Sequence, residues 1–548
     1  MIKKKFSTYL LLLITLSCFS QKKLFNHTKT FTRQDSLRGT ITPERSWWDL
    51  SYYHLDISVN PDKKYIKGKN KIVYKVLRPS SRIQVDLQSP LKITKALQNG
   101  KELNINSEGN AHFIDLIESQ VINDINAIDV YYEGYPKEAE NAPWDGGFTW
   151  EKDKNQQHFV ATSCQGLGAS AWWPNKDHMY DEVDSMAISV RVPSNLIDVS
   201  NGRLRKVEKH NDATTTYHWF VSNPINNYGV NINIGDYVHF SEKYQGESGE
   251  LDLEYYVLRD HLPKAKNQFK EVPKMLKAFE YWFGKYPFYE DSFKLVEVPY
   301  LGMEHQSSVT YGNKYKNGYL GRDLSGTGWG LKFDFIIVHE AGHEWFANNI
   351  TNKDIADMWI HESFTAYSEN LFLDYYYGKK ASSEYVIGTR RAIKNNIPII
   401  GQYDVNCEGS SDMYYKGANM LHMIRQLIDN DEKWRQILRG LNKVFYHQTV
   451  TSEQTENYLS KESKIDLSKI FDQYLRTVKI PNFEYQLKNG LLKYRWSNVV
   501  DGFDMPLKFY TDKNKQTTIK PSQKWQRLKI NTNNITIDTN FYIVSLKV

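Results

Sequence analysis

Between residues 46 and 258 the chain alternates apolar and polar positions in short runs. Tyr53-His54-Leu55-Asp56-Ile57-Ser58-Val59, Ile83-Gln84-Val85-Asp86-Leu87 and Ile188-Ser189-Val190-Arg191-Val192 each put their apolar side chains on one face, the period-two signature of half-buried strands. Asn99-Gly100 and Asn201-Gly202 supply turn signals between such runs. The pattern predicts a large N-terminal β domain over 46–258. From residue 259 the period lengthens: Phe269, Val272, Met275, Leu276, Phe279 and Phe283 recur at three- and four-residue spacing, which predicts a mostly helical domain over 259–478. From residue 479 the alternation returns, in Leu491-Leu492-Lys493-Tyr494-Arg495-Trp496, Leu507-Lys508-Phe509-Tyr510 and Phe541-Tyr542-Ile543-Val544, and predicts a small C-terminal β-sandwich over 479–548. The fold class is therefore multi-domain α+β. Residues 21–45 are polar, rich in Thr, Ser and Arg, and read as a tether or extended lead-in, with structure beginning at Ser46-Trp47-Trp48.

The first twenty residues have a different layout. Lys3 to Lys5 precede an apolar run from Tyr9 to Leu16 and then small residues, the order of a secretory signal peptide cut after Ser20. A second reading acylates Cys18 and leaves a lipoprotein, although Thr15-Leu16-Ser17 is a poor lipobox. Either way the expectation is an exported protein, periplasmic or extracellular. The apolar run is too short to span a bilayer, and no later segment reaches that length.

Composition narrows the partners. Of the net charge of +6, the leader contributes Lys3, Lys4 and Lys5, so the mature chain is close to neutral and carries no electrostatic case for nucleic acid. An aromatic fraction of 14% supplies apolar material for real cores. Three cysteines, Cys18, Cys164 and Cys407, cannot make a disulfide scaffold, so the fold must rest on packing.

The chemistry is concentrated at His339-Glu340-Ala341-Gly342-His343. On a helix, residues four apart lie about 40° apart around the axis, so both imidazoles can face one ion while Glu340 reaches a water on it. Zinc suits such a site. With 15 histidines in the chain, chance would produce the motif in roughly 2% of sequences of this composition, so a third ligand has to decide. A catalytic zinc needs three protein groups and one open position. Glu362 follows His343 after 18 intervening residues, in a segment (Asp357 to Tyr367) that reads as a second helix packed on the first.

This arrangement resembles the aminopeptidase N (alanyl aminopeptidase) and leukotriene hydrolase family of gluzincin zinc metallopeptidases, whose zinc motif is His-Glu-x-x-His, 18 residues, then Glu. The resemblance runs from about Trp47 to the C-terminus. It implies a β saddle, a thermolysin-like catalytic domain and a small β-sandwich; the long helical domain that many members carry after these is not expected in this sequence. It also implies one catalytic Zn²⁺ held by His339, His343 and Glu362, with Glu340 as general base. Glu369, seven residues beyond Glu362, matches a glutamate that orients a ligand histidine; the plain alternative is a surface carboxylate.

Further segments extend the match. Leu301-Gly302-Met303-Glu304-His305 resembles the family's Gly-x-Met-Glu-Asn strand, in which the glutamate binds the substrate's α-ammonium. Glu304 matches; Leu301 and His305 depart from the pattern, which puts the backbone contacts of Gly302 and Met303 to substrate in doubt. Thr162-Ser163-Cys164-Gln165, followed by Trp172-Trp173-Pro174, resembles the segment that sets a Gln or Glu beside the amine. Gln165 matches, Ser163 stands where a Gln is usual, and the usual Arg is missing. A neutral Gln165 gives the ammonium a hydrogen bond but leaves only one full counter-charge. Tyr414-Tyr415-Lys416-Gly417-Ala418 resembles the family's Tyr-x-Lys-Gly-Ala segment, which gives Tyr414 the role of oxyanion donor, with Tyr415 as its competitor. Cys407 and His361 are read as structural, and Gly326-Thr327-Gly328-Trp329-Gly330 as a loop ahead of the zinc helix.

The implied activity is that of an exported zinc metallo-aminopeptidase acting on peptides with a free N-terminus. A zinc endopeptidase on the same helices stays open through the departures at Leu301, His305 and Ser163. An epoxide hydrolase is permitted by the family but supported by no residue here. A non-catalytic peptide-binding protein is disfavoured by the intact ligand and base set.

Overall fold

The computed structural model describes residues 30–511, 515–530, 532 and 534–548. Residues 1–20, read from the sequence as a leader, and with them Cys18, lie outside the described residues. No helix among the described residues is long and apolar enough to cross a membrane. Cys164 and Cys407 form no disulfide.

The lead-in departs from its reading as a tether. Thr32 and Asp35 form a reciprocal capping box that opens a helix at Arg33–Gly39. Arg45 is fully buried: its Nη1 donates to the carbonyls of Leu37, Arg38 and Thr40 at 2.9, 3.0 and 2.8 Å, and its Nη2 meets Asp86 at 2.5 Å. A buried guanidinium needs partners of this kind, and those of Nη1 and Nη2 lie on both the lead-in and the β domain. The segment is thereby fastened to the β domain.

That domain is built on an eight-stranded sheet. Its centre runs Ser185–Pro193, Trp48–Asn60, Tyr65–Val76 and Ile125–Gly134, with Trp48–Asn60 parallel to the first of these and antiparallel to the third. The alternation seen in the sequence is the alternation of burial: Tyr53, Leu55, Ile57 and Val59 face the core. Asn99 and Gly100 both have positive φ, 51° and 77°, and close the hairpin of the outermost strands. A four-stranded sheet, Ile197–Ser200, Ile232–Gly235, His158–Ser163 and Gly147–Lys152, packs with Trp172 and Trp173 in the same core and delivers the chain to Gln165.

The second domain, read from the sequence as catalytic, combines a five-stranded sheet with helices. The sheet runs Tyr237–Gly246, Gly249–Leu258, Phe293–Glu297, Val309–Tyr311 and Gly302–Met303, the last on its edge. The hairpin 237–258 precedes the change of texture at Arg259, yet Gly249–Leu258 pairs in parallel with Phe293–Glu297 inside this sheet. Periodicity reports only the local element; partnership is decided by the strand that comes next in space. The helical positions Phe269, Val272, Met275, Leu276, Phe279 and Phe283 are all buried. Phe335–Gly342 and Trp359–Thr389 pack against each other beneath the sheet edge.

Two sheets of four and three strands follow, with Leu491–Ser497 and Leu507–Thr511 as predicted elements. The last strand is Val544–Lys547, three residues later than the alternation at Phe541 suggests. Phe541 is buried and the Tyr542 carbonyl accepts from the Tyr474 hydroxyl at 2.7 Å, so these residues dock on the catalytic helices before the strand begins. The apolar core of this β region is continuous with that of the catalytic domain.

Candidate zinc site and substrate cleft

Asp334 caps the start of the helix Phe335–Gly342. Its Oδ1 accepts the amides of Ile336 and Ile337 at 3.1 and 3.4 Å, while Tyr311 and Gln268 donate to Oδ2, each at 2.8 Å. The helix ends at His343, so His339 and His343 project from its last turn. Both rings are buried, as is Glu362 on the helix Trp359–Thr389. Nε2 of His339 and of His343 lie 3.8 and 3.5 Å from Glu362 Oε2, and the three ligand atoms sit within 4.8 Å of one another.

The remaining atoms set the tautomers. His339 Nδ1–H donates to Glu369 Oε1 at 2.7 Å, and His343 Nδ1–H donates to the Phe346 carbonyl at 3.0 Å, with Thr365 Oγ1 at the same distance. Each ring therefore offers an Nε2 lone pair inward, as a metal requires. Glu369 is fully buried, which sets aside the surface reading.

A divalent cation fits this set. Glu362 Oε2 is buried with no hydrogen-bond partner, and it faces both Nε2 atoms. Glu340, Glu304 and His343 form a second close trio around the same point. Burial, then Glu304, Glu362 and Glu369, push the Glu340 carboxyl well above its ordinary range; burial lifts Glu362 to about 7. Crowded buried carboxylates of this kind are what a cation stabilises in ionised form.

The amine-binding candidates come together beside the metal ligands. Gln165, from the β domain, donates through Nε2 to Glu304 Oε1 at 2.6 Å and to Glu362 Oε1 at 3.1 Å. Gly302 and Met303 form the sheet edge next to Glu304 and line the cleft with Leu301; His305 is buried against Thr310, and burial holds its ring neutral with a pKa near 3. Tyr414 stacks on the His339 ring at 6.0 Å, and burial, with the nearby Glu362 carboxylate adding to it, raises its phenol well above the ordinary range. Tyr415 lines the same cleft but interacts with Glu369 instead. The cleft encloses about 360 Å³ between the β and catalytic domains, with Trp144 and Lys394 at its rim.

Several supporting residues carry no local sequence signal. Tyr228 donates its hydroxyl to Glu304 Oε1 at 3.3 Å, and Asn348 Nδ2 donates to the Glu304 carbonyl at 2.9 Å. His361, read as structural, is fully buried, accepts the Asn352 amide at 2.7 Å and stacks on Tyr228.

A β domain and a helical domain closing over two histidines of one helix and a glutamate of the next define a zinc metallopeptidase of the gluzincin type. Residues 267–474 match the Peptidase family M1 domain and residues 50–228 the Peptidase M1 N-terminal domain. The chain belongs to peptidase family M1, and its cofactor is one catalytic Zn²⁺. It is 21% identical over 449 residues to leukotriene A-4 hydrolase of Xenopus laevis, covering 78% of this chain and 70% of that protein. It is 26% identical over 247 residues to aminopeptidase N of Lactobacillus helveticus, covering 41% and 28%. With probable aminopeptidase 2 of Sulfurisphaera tokodaii it shares 21% over 398 residues, covering 68% of this chain and 48% of that protein, so the chain spans only about half the length of that relative. The fold of the M1 zinc metallopeptidase from Deinococcus radiodurans superposes with a TM-score of 0.68 at 18% identity, over 80% of this chain and 95% of that one.

Proposed function

We propose that this protein is a zinc aminopeptidase that removes single N-terminal residues from peptides outside the cytoplasm. The observation that carries the reading is the Gln165 amide, which touches both the Glu304 carboxylate and the Glu362 ligand. An ammonium held at Glu304 then lies one residue from the metal, and a fixed anchor-to-metal distance selects the first peptide bond.

His339, His343 and Glu362 would hold the ion, which when bound would supply a Lewis acid for the scissile carbonyl and lower the pKa of an attacking water. Glu340 takes the proton of that water and returns it to the leaving nitrogen. Tyr414 donates its phenolic hydrogen to the carbonyl oxygen as negative charge develops there. Glu304 supplies the counter-charge to the substrate ammonium, a charge-assisted contact about twice as strong as a neutral one. Gln165 bridges that carboxylate and Glu362 by donating to both.

A peptide pool in free and N-acetylated form, digested by wild type and by Glu340→Gln and read by mass spectrometry, tests the reading. Stepwise loss of N-terminal residues from the free pool alone is expected, with none in the variant. Internal cleavage of the acetylated pool would replace the reading with an endopeptidase, and no cleavage by zinc-loaded wild type with a binding protein. Export is supported by the order Lys3 to Lys5, apolar run, small residues. The N-terminal mass of the protein recovered outside the cytoplasm checks it: a start at Gln21 is expected, while an acylated Cys18 would mark the lipoprotein form and an intact Met1 an unprocessed chain.

A further inference from the structure

Gln165 is followed by a tight loop, with Leu167 N donating to the Gln165 carbonyl and Gly168 N to the Cys164 carbonyl, each at 2.7 Å. One carbonyl of that loop, Gly166 O, is gripped from two sides. Arg38 Nη2, on the lead-in helix, reaches it at 3.4 Å, and Asn406 Nδ2, on a loop of the catalytic domain, at 3.2 Å. Three parts of the chain thus meet one peptide unit away from the residue that spans Glu304 and Glu362.

The grip is built into the backbone around it. Arg38 pairs with Asp177 at 3.5 Å, and Asp177 Oδ2 accepts the Ser170 amide at 3.2 Å. Gly168 has φ +89°, and a Cβ there would fall 2.0 Å from Arg38 Nη2 and 2.4 Å from Asp177 Oδ2, so only glycine lets the ion pair cross this loop. At the end of the lead-in helix, a Cβ on Gly39 would fall 2.4 Å from the amide nitrogens of Val405 and Asn406. The helix therefore rests backbone to backbone on the segment that supplies the second donor.

Anchoring the lead-in does not need Arg38. The buried Arg45–Asp86 pair does that, along with His178 Nε2–H donating to the Gly39 carbonyl at 3.0 Å. Arg38 is by contrast partly exposed, with 24% of its side chain accessible, and is aimed at Gly166 and Asp177. We propose that Arg38 is a positioning residue of the amine site: by holding the Gly166 carbonyl it fixes the Gln165 amide against Glu304. The proposal rests on the aminopeptidase reading above. It makes a segment outside the two matched domains part of the substrate site.

The test separates amine binding from metal chemistry. Arg38→Ala, Arg38→Lys and Asn406→Ala are compared with wild type on a leucyl anilide, and against two hydroxamates of the same side chain, one with a free α-amine and one without. Loss of one of two clamps on an orienting residue should raise KM about 10-fold with kcat changed less than about 2-fold. The amino-hydroxamate should weaken by the same factor, the des-amino compound should bind as before, and zinc content should stay constant. Arg38→Lys, which keeps a cationic donor, should recover most of the loss, and Asn406→Ala should reproduce it. Equal weakening of both hydroxamates, or an unchanged KM in Arg38→Ala, would overturn the role of Arg38. A wild type that binds both hydroxamates equally would overturn the amine anchor itself, and with it this proposal.

Discussion

Glu369 Oε1 sits 2.7 Å from Nδ1 of His339, two buried groups brought together from successive helices. The other Glu369 oxygen accepts the Tyr385 hydroxyl at 2.5 Å, so the carboxylate is held from both ends and cannot swing onto the metal itself. Without it, the imidazole is free to take the tautomer that points a proton at the ion. Glu369→Ala should therefore weaken Zn²⁺ about 10- to 100-fold, with a smaller effect for Tyr385→Phe. Competition against a chelator of known affinity measures this; an unchanged affinity would reduce Glu369 to a packing role.

Tyr414 and Tyr415 can be told apart by kinetics. Tyr414 faces Glu362 and His339, whereas Tyr415 interacts with Glu369. Tyr414→Phe keeps the ring and removes only the donor, so kcat should fall about 10²- to 10³-fold with KM and zinc content little changed. Tyr415→Phe should change kcat less than about 3-fold if its hydroxyl stays out of the reaction. The opposite ranking of the two variants would exchange their roles.

The residues legible in the sequence are those whose chemistry is local. His339, His343 and Glu362 declare themselves because helix geometry converts spacing directly into a shared face. Tyr228 and Glu304 touch across 76 positions, and Arg38 and Gly166 across 128, so no periodicity links them. The lead-in differs from what its composition suggests for a related reason. Its helix spans seven residues, too few for a repeating apolar face, and its attachments are a capping box and a buried Arg45 rather than a hydrophobic stripe. The Thr32-x-x-Asp35 spacing was the one signal available there. The hairpin 237–258 illustrates the same limit, since its alternation specifies strands but not the sheet they join.

Asp334 should be worth more than an ordinary helix cap. It holds two helix amides, and its second oxygen takes Tyr311 and Gln268. Asp334→Ala leaves these donors without a partner in the interior and frees the start of the helix that carries both histidines. A loss of roughly 2 to 4 kcal/mol is expected, together with weaker zinc binding. Denaturant unfolding at saturating zinc reads the first effect and chelator competition the second. Asp334→Ser, which can still cap, should fall between; equal stability of all three proteins would mean that neighbouring packing sets the helix start.

Acid should loosen the joint between the catalytic helices and the C-terminal β region through His422. Its Nε2–H donates to Asn540 Oδ1 at 2.9 Å, and burial, with Arg425 and Arg390 nearby, lowers its pKa to about 3. An unfolded histidine titrates near 6.5. Between these values the unfolded chain binds a proton that the folded chain refuses. The stabilisation is thus complete above pH 6.5 and is lost progressively as pH falls toward 3, by about 1.4 kcal/mol per pH unit for this one proton. His447, lowered to about 4 by burial, acts in the same direction. His422→Gln should be less stable than wild type at pH 8, yet lose stability less steeply between pH 6.5 and 5, by the slope of one proton. Zinc release from His339 and His343 occurs in both proteins and cancels in the difference between them. Parallel pH profiles for variant and wild type would show that His422 titrates alike in the folded and unfolded chains, and would remove it from the account of acid instability.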